Sequence, residues 1–214
     1  MANEIFSPEH SSLNGLFTEG IKYIIPTYQR PYSWESIGKS DRNNQINNMW
    51  DDFFNFYSNS NDDSQEYFFG SIVVFKKDGF SQVVDGQQRL TSLLLLFSAM
   101  KCFLVNLQKD ESGFDESIKK FLNVALSTFD KLLFNEEGLD LTQSLKVKIE
   151  RASGFNFDEI LNKVISCEDD GTVLQNIEDK YKDIANRYFS NRDYFIKQLN
   201  IEFLDNNTFT KEKA

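Results

Sequence analysis

The chain has 214 residues, 40% of them hydrophobic, and a formal net charge of −10. That length suffices for one large domain or for one domain with a helical extension, and so acidic a surface argues against broad, sequence-independent DNA binding, which needs clustered Lys and Arg. A single histidine, His10, argues against a His-based zinc site and a Ser-His-Asp triad and excludes an HNH-type nuclease centre within this chain, and the two cysteines, Cys102 and Cys167, lack CxxC spacing.

The N-terminal stretch MANEIFSPEHSS has neither a basic start nor an apolar core of signal-peptide length. Leu13, Leu16 and Phe17 predict a short helix, and IKYII, residues 21–25, a strand that Pro26 ends. The next segment, PTYQRPYSWE, holds two prolines that keep it extended and gathers Tyr28, Tyr32 and Trp34 around Arg30. Rings beside a guanidinium suit a cation–π set, or base stacking with Arg30 on a phosphate; core anchoring of a stiffened loop is the competing reading. Ile46, Met49, Trp50, Phe53, Phe54 and Tyr57 recur at helical spacing and predict a core-facing helix, with Asp51 and Asp52 on its solvated side.

YFFGSIVVFKK, residues 67–77, reads as a strand, Asp78-Gly79 as a tight hairpin turn, and 81–84 as the returning strand. The apolar stripe from Leu90 to Leu107 predicts a long helix buried on more than one side, and its longest unbroken apolar run, LLLLF, is far short of a bilayer span. The chain is therefore expected to be soluble and cytoplasmic, with both cysteines reduced and mostly buried. Further helices are expected over about 115–133, from a capping box at Asn156–Glu159, and over about 173–189 and 192–204, with LKVKIE, residues 145–150, as a strand. The fold class is α+β: mixed strands and helices to about residue 100, then mainly helices.

Between the second hairpin strand and the leucine-rich helix lies Asp85-Gly86-Gln87-Gln88-Arg89. A helix starting near Gln87 leaves its first amides unpaired at the positive end of its dipole, which favours an anion. Gly86 permits a sharp turn and close approach of a ligand; Arg89 adds a forked donor suited to phosphate. Gln87 and Gln88 can orient a phosphate oxygen or a water, and Asp85 can hold Mg²⁺ or a water. The bland alternative makes Asp85 a helix cap and Arg89 a surface ion pair.

IPTYQRPYSWE, MWDDF, YFFGSIVV and VVDGQQRLTSLLLL, in that order, resemble domain-of-unknown-function family 262. This is the DGQQR-motif branch of the ParB/sulfiredoxin-like superfamily, which includes the N-terminal domain of GmrSD-type modification-dependent restriction enzymes. The resemblance covers about residues 13–100. It implies a ParB-like nucleotide-binding domain with a small mixed sheet over 1–110 and a helical extension over 111–214, truncated relative to larger members that end in a nuclease domain. It further implies binding and hydrolysis of a nucleoside triphosphate in a phage-restriction sensor, an HNH-type nuclease as partner, and modified DNA as the target of the full-length protein. Carried over residue by residue, it marks Asp85, Gln87, Gln88 and Arg89 as catalytic, and Gly86, Arg89, Arg30, Gln29, Tyr28 and Tyr32 as nucleotide-binding. Asp85 is the expected Mg²⁺ ligand. A ParB-type pattern can be traced at Gly86, Arg89 and Ser92. Two other functions fit the residues: a DNA-recognition or nicking domain using the same pocket, and a non-catalytic interaction module.

Overall fold

The computed structural model describes residues 8–18, 20–36, 44–60, 64–109, 114–137, 142–150, 157–167 and 177–205. A four-residue helix, α1 (Leu13–Leu16), is capped by the Ser12 hydroxyl on the Gly15 amide and leads to β1 (Tyr23–Ile25). After the Pro-containing loop comes α2 (Gln45–Asn59), whose buried Ile46, Met49 and Trp50 lie on the face that the spacing picks out, while Asp51 and Asp52 are exposed. The expected strand over 67–77 is shorter, β2 (Val73–Lys77). Gly70, at φ +107°, takes the preceding residues out of extended pairing geometry. Asp78 and Gly79 both have positive φ, as a two-residue hairpin turn requires, and β3 (Phe80–Asp85) returns antiparallel.

The sheet order is β2-β3-β1-β6, with β1 parallel to both β3 and β6 (Val147–Ile149). Alternation puts Tyr23, Ile25, Val83, Val147 and Ile149 on one face, all nearly inaccessible. Against that core runs α3 (Gln87–Lys109). Its Leu90, Leu94, Leu95 and Ala99 have no accessible surface. This helix is long and apolar enough to cross a bilayer, but most of it is buried inside the protein. Around it pack α4 (Glu116–Leu133), α5 (Phe157–Ile165) and α6 (Asp179–Asn200). The Asp115 carboxylate caps α4 by accepting from the Ser117 and Ile118 amides. Where two helices are expected near 173–189 and 192–204, one continuous α6 passes through Ser190, because no Gly or Pro interrupts it; a π-helical turn, Ile201–Asp205, follows. The capping box at Asn156 lies outside the described residues.

The parts on either side of residue 110 share one core. Strand β6 joins the central sheet, and one hydrophobic cluster runs from Phe17 to Leu199. An additional hairpin, β4 (Phe134–Glu137) with β5 (Thr142–Leu145), ties the halves together. Asn135 accepts from the Gly20 amide and donates to the Ile21 carbonyl. The buried Lys146 ammonium donates to the carbonyls of Phe17 and Thr18. A further correction concerns the cysteines: Cys102 on α3 and Cys167 just past α5 form a disulfide, their Cα atoms 5.6 Å apart. A contact across 65 residues of chain leaves no spacing signature.

Candidate functional site

The loop after β1 and the joint after β3 leave neighbouring parallel strands at their carboxyl ends, the edge where open α/β sheets receive ligands. At the joint Gly86 has φ +88°, and a Cβ there would stand 3.0 Å from the Ser71 carbonyl oxygen and 3.1 Å from Ile72 Cα. Only glycine suits both the backbone angle and this approach. The first intrahelical bond of α3 is Leu90 N–H to Gly86 C=O, so the amides of Gln87, Gln88 and Arg89 precede the hydrogen-bonded ladder.

The five motif residues divide. Asp85 and Arg89 form the rim: Arg89 Nη2 donates to the Ser71 carbonyl at 2.7 Å and reaches Asp85 Oδ2 at 3.3 Å. The guanidinium side chain crosses Gly70, where a Cβ would come within 3.3 Å of Arg89 Cδ. Arg89 Nε is buried without a hydrogen-bond partner. The side chains are 29% and 69% exposed for Arg89 and Asp85. The carboxylate engages Arg89 rather than capping the helix.

Gln87 and Gln88 point inward and are 6% and 7% exposed. Gln87 Nε2 donates to the Arg30 carbonyl at 3.0 Å. Gln88 Oε1 accepts from the amides of Ser33 (2.8 Å) and Trp34 (3.3 Å), while its Nε2 donates to the Pro31 carbonyl (3.3 Å). Gln29 returns the gesture, its Nε2 donating to the Val84 carbonyl at 2.7 Å. These amides, expected to orient a phosphate oxygen, instead stitch the 26–36 loop to the joint. The two sequence motifs are one construction.

Tyr28, 66% exposed, and Arg30 project from that stitched loop into solvent. Tyr32 does not: it is 3% exposed and stacks on Tyr188 with ring centroids 5.3 Å apart. Its hydroxyl meets Ser92 Oγ at 2.7 Å and accepts from Asn191 Nδ2 at 3.1 Å. Burial raises its pKa above the ordinary tyrosine range, partly offset by those two hydrogen bonds. A ring so enclosed has no face for a base, and Ser92 is spent on Tyr32 rather than on a phosphate. Among the described residues no cation–π contact joins Arg30 to Tyr28, Tyr32 or Trp34.

Sequence reading missed the far side of the loop. Asn191 of α6 accepts from the Ser36 amide and donates to the Trp34 carbonyl, and Arg187 pairs with Glu35 at 2.7 Å. The available signal was a polar Asn beside Tyr188 and Phe189 in a helix. Gly70 and Ser71, which seat Arg89, fall inside the stretch whose β-branched and aromatic pattern predicts a strand. No group of three metal-ligating side chains occurs among the described residues. The Asp85 carboxylate at the rim suits a Mg²⁺ ion that takes its other ligands from phosphate and water.

No curated protein matches the chain. A family model does, over residues 13–213: that of the GmrSD restriction endonuclease, N-terminal domain. The match runs across the sheet, the stitched loop, the Asp85–Arg89 joint and the C-terminal helices alike, so the chain belongs to the family of GmrSD restriction endonuclease N-terminal domains and with it to a restriction system.

Proposed function

We propose that the Asp85–Arg89 rim binds and hydrolyses a nucleoside triphosphate, and that this domain is the nucleotide-controlled sensor of a phage-restriction system acting on modified DNA. The observation that carries the reading is Arg89: a guanidinium fixed by Gly70, Ser71 and Asp85 at the first turn of α3, its side chain still 29% exposed. A forked, charged donor held at that rim suits a phosphate oxygen, and the helix N-terminus would contribute its dipole. Asp85 would hold Mg²⁺ against the phosphates, and the ion would supply Lewis-acid stabilisation. Arg30 and Tyr28, exposed on the stitched loop, would add charge and a stacking surface. Gln29, Gln87 and Gln88 act by holding that loop in place. An HNH-type nuclease would receive the signal.

The test is a calorimetric titration of nucleoside triphosphates with Mg²⁺, and release of phosphate, on wild type and Arg89→Ala. Loss of one charged hydrogen-bonding partner is expected to weaken binding at least tenfold. Equal affinity in the two proteins removes the site.

A further inference from the structure

The register that turns Tyr23 and Val83 toward α3 puts the alternate residues on the other side of the sheet, where Ile24 in the middle is covered and the flanks are open. Phe75 pairs with Gln82 and Lys77 with Phe80 across β2 and β3, while Ile24 pairs with Gln82 on one side and Lys148 on the other. Directly paired residues share a face. Phe75, Lys77, Phe80, Gln82 and Lys148 therefore stand together on the side of the sheet opposite α3. Phe75 is 60% exposed. Toward β6 the same face opens into a cavity of about 380 Å³. Lys22, Phe80 and Lys148 line it from the sheet, and Ser144, Asp158 and Asn162 from the elements beyond. Its size falls within the range of small-ligand pockets.

The composition of this face runs against that of the chain. A protein of net charge −10 collects Lys22, Lys77 and Lys148 here and interleaves them with two phenyl rings. Asp158 is the acidic wall, and its carboxylate is engaged with the Ile149 amide at 2.9 Å. Lysines on an edge strand discourage strand pairing, but that role explains neither the exposed Phe75 ring nor the cavity that the half-buried Phe80 lines. Rings that stack bases and lysines that track phosphates are the means by which sheets hold unpaired nucleic acid.

We infer that this outer face is a second binding site, for single-stranded DNA. Phe75 and Phe80 stack bases, Lys77 and Lys148 neutralise phosphates, and the cavity takes a base edge between Ser144 and Asn162. DNA, rather than another polyanion, follows from the restriction family to which the chain belongs. A single strand follows from the rings, since a duplex hides its base faces. The site is separate from the Asp85–Arg89 rim and does not rest on the triphosphate reading.

The test is fluorescence anisotropy of a short labelled oligothymidylate against the full chain at several salt concentrations. Phe75→Ala should weaken binding roughly tenfold, the loss of one stacked base. Lys148→Glu should weaken it and make the slope of log affinity against log salt shallower by about one. Arg89→Ala should bind the oligonucleotide as wild type does, whatever its triphosphate affinity. Phe75 and Lys148 are exposed, so circular dichroism should show both variants folded. Absence of saturable binding by wild type, unchanged affinity in both face variants, preference for the duplex, or loss of binding in Arg89→Ala would each overturn the inference.

Discussion

Within five consecutive residues, Gln87 and Gln88 turn into the protein while Asp85 and Arg89 turn out. The inner pair makes its bonds to backbone of the 30–34 loop; the outer pair bonds one carbonyl and each other. The same loop is gripped from behind by Asn191. The motif is thus half scaffold and half rim, and a residue can be required for activity without meeting a ligand. Substitutions in the two halves should separate stability from binding.

Gln88→Ala tests the inner half and should have the largest effect. It removes three hydrogen bonds and leaves the Ser33 and Trp34 amides and the Pro31 carbonyl without their partner. Unsatisfied buried groups cost 1–3 kcal/mol each, with partial relief from water, so a loss of about 3 kcal/mol is expected in urea unfolding. Triphosphate affinity should fall with it, because the loop that carries Tyr28 and Arg30 loosens. A Gln88→Ala protein of unchanged stability that had lost only binding would move this residue to the rim.

Tyr32 gives the next effect, and it depends on pH. Burial raises its folded pKa above that of an exposed tyrosine. The neutral phenol therefore contributes stability that is fully present below the unfolded value of about 10 and is lost as pH rises through the higher folded value. Tyr23, pushed up to about 12 by burial, adds to the same alkaline loss. Tyr32→Phe should cost about 1 kcal/mol at neutral pH, from the Ser92 and Asn191 hydrogen bonds. It should also make the fall of Tm above about pH 10 shallower. An alkaline limb of identical slope would mean that Tyr32 ionises as freely folded as unfolded.

Much of this was legible in residue order. Helical spacing located α2, α3 and α4, and Asp78-Gly79 located the hairpin, because these depend on neighbours within a few residues. The joint was legible too, as a strand running through Gly86 into a leucine-rich helix. The division of labour inside it was not. Whether a glutamine faces ligand or loop depends on a chain segment 55 residues away, as with Ser33 and Gln88. Residue order leaves Tyr32 open between stacking ring and core anchor, because Tyr188, the partner that makes it an anchor, comes from α6. The Cys102–Cys167 bond and the place of β6 beside β1 are of the same kind: long-range pairings between segments whose local patterns are complete without them.

Asp85→Asn should be the gentlest change, and it divides two roles for the rim carboxylate. The Asp85–Arg89 pair is an exposed i, i+4 contact, so its loss should shift stability by about 0.5 kcal/mol or less. If the carboxylate holds Mg²⁺, triphosphate affinity measured with Mg²⁺ falls, while affinity measured in a chelator stays level or rises, since a negative charge beside the phosphates has been removed. If the carboxylate only aims Arg89, affinity falls by the same factor with and without the ion. Paired titrations of wild type and variant under the two conditions read this difference directly, and the rim acts as a metal-assisted phosphate site only on the first outcome.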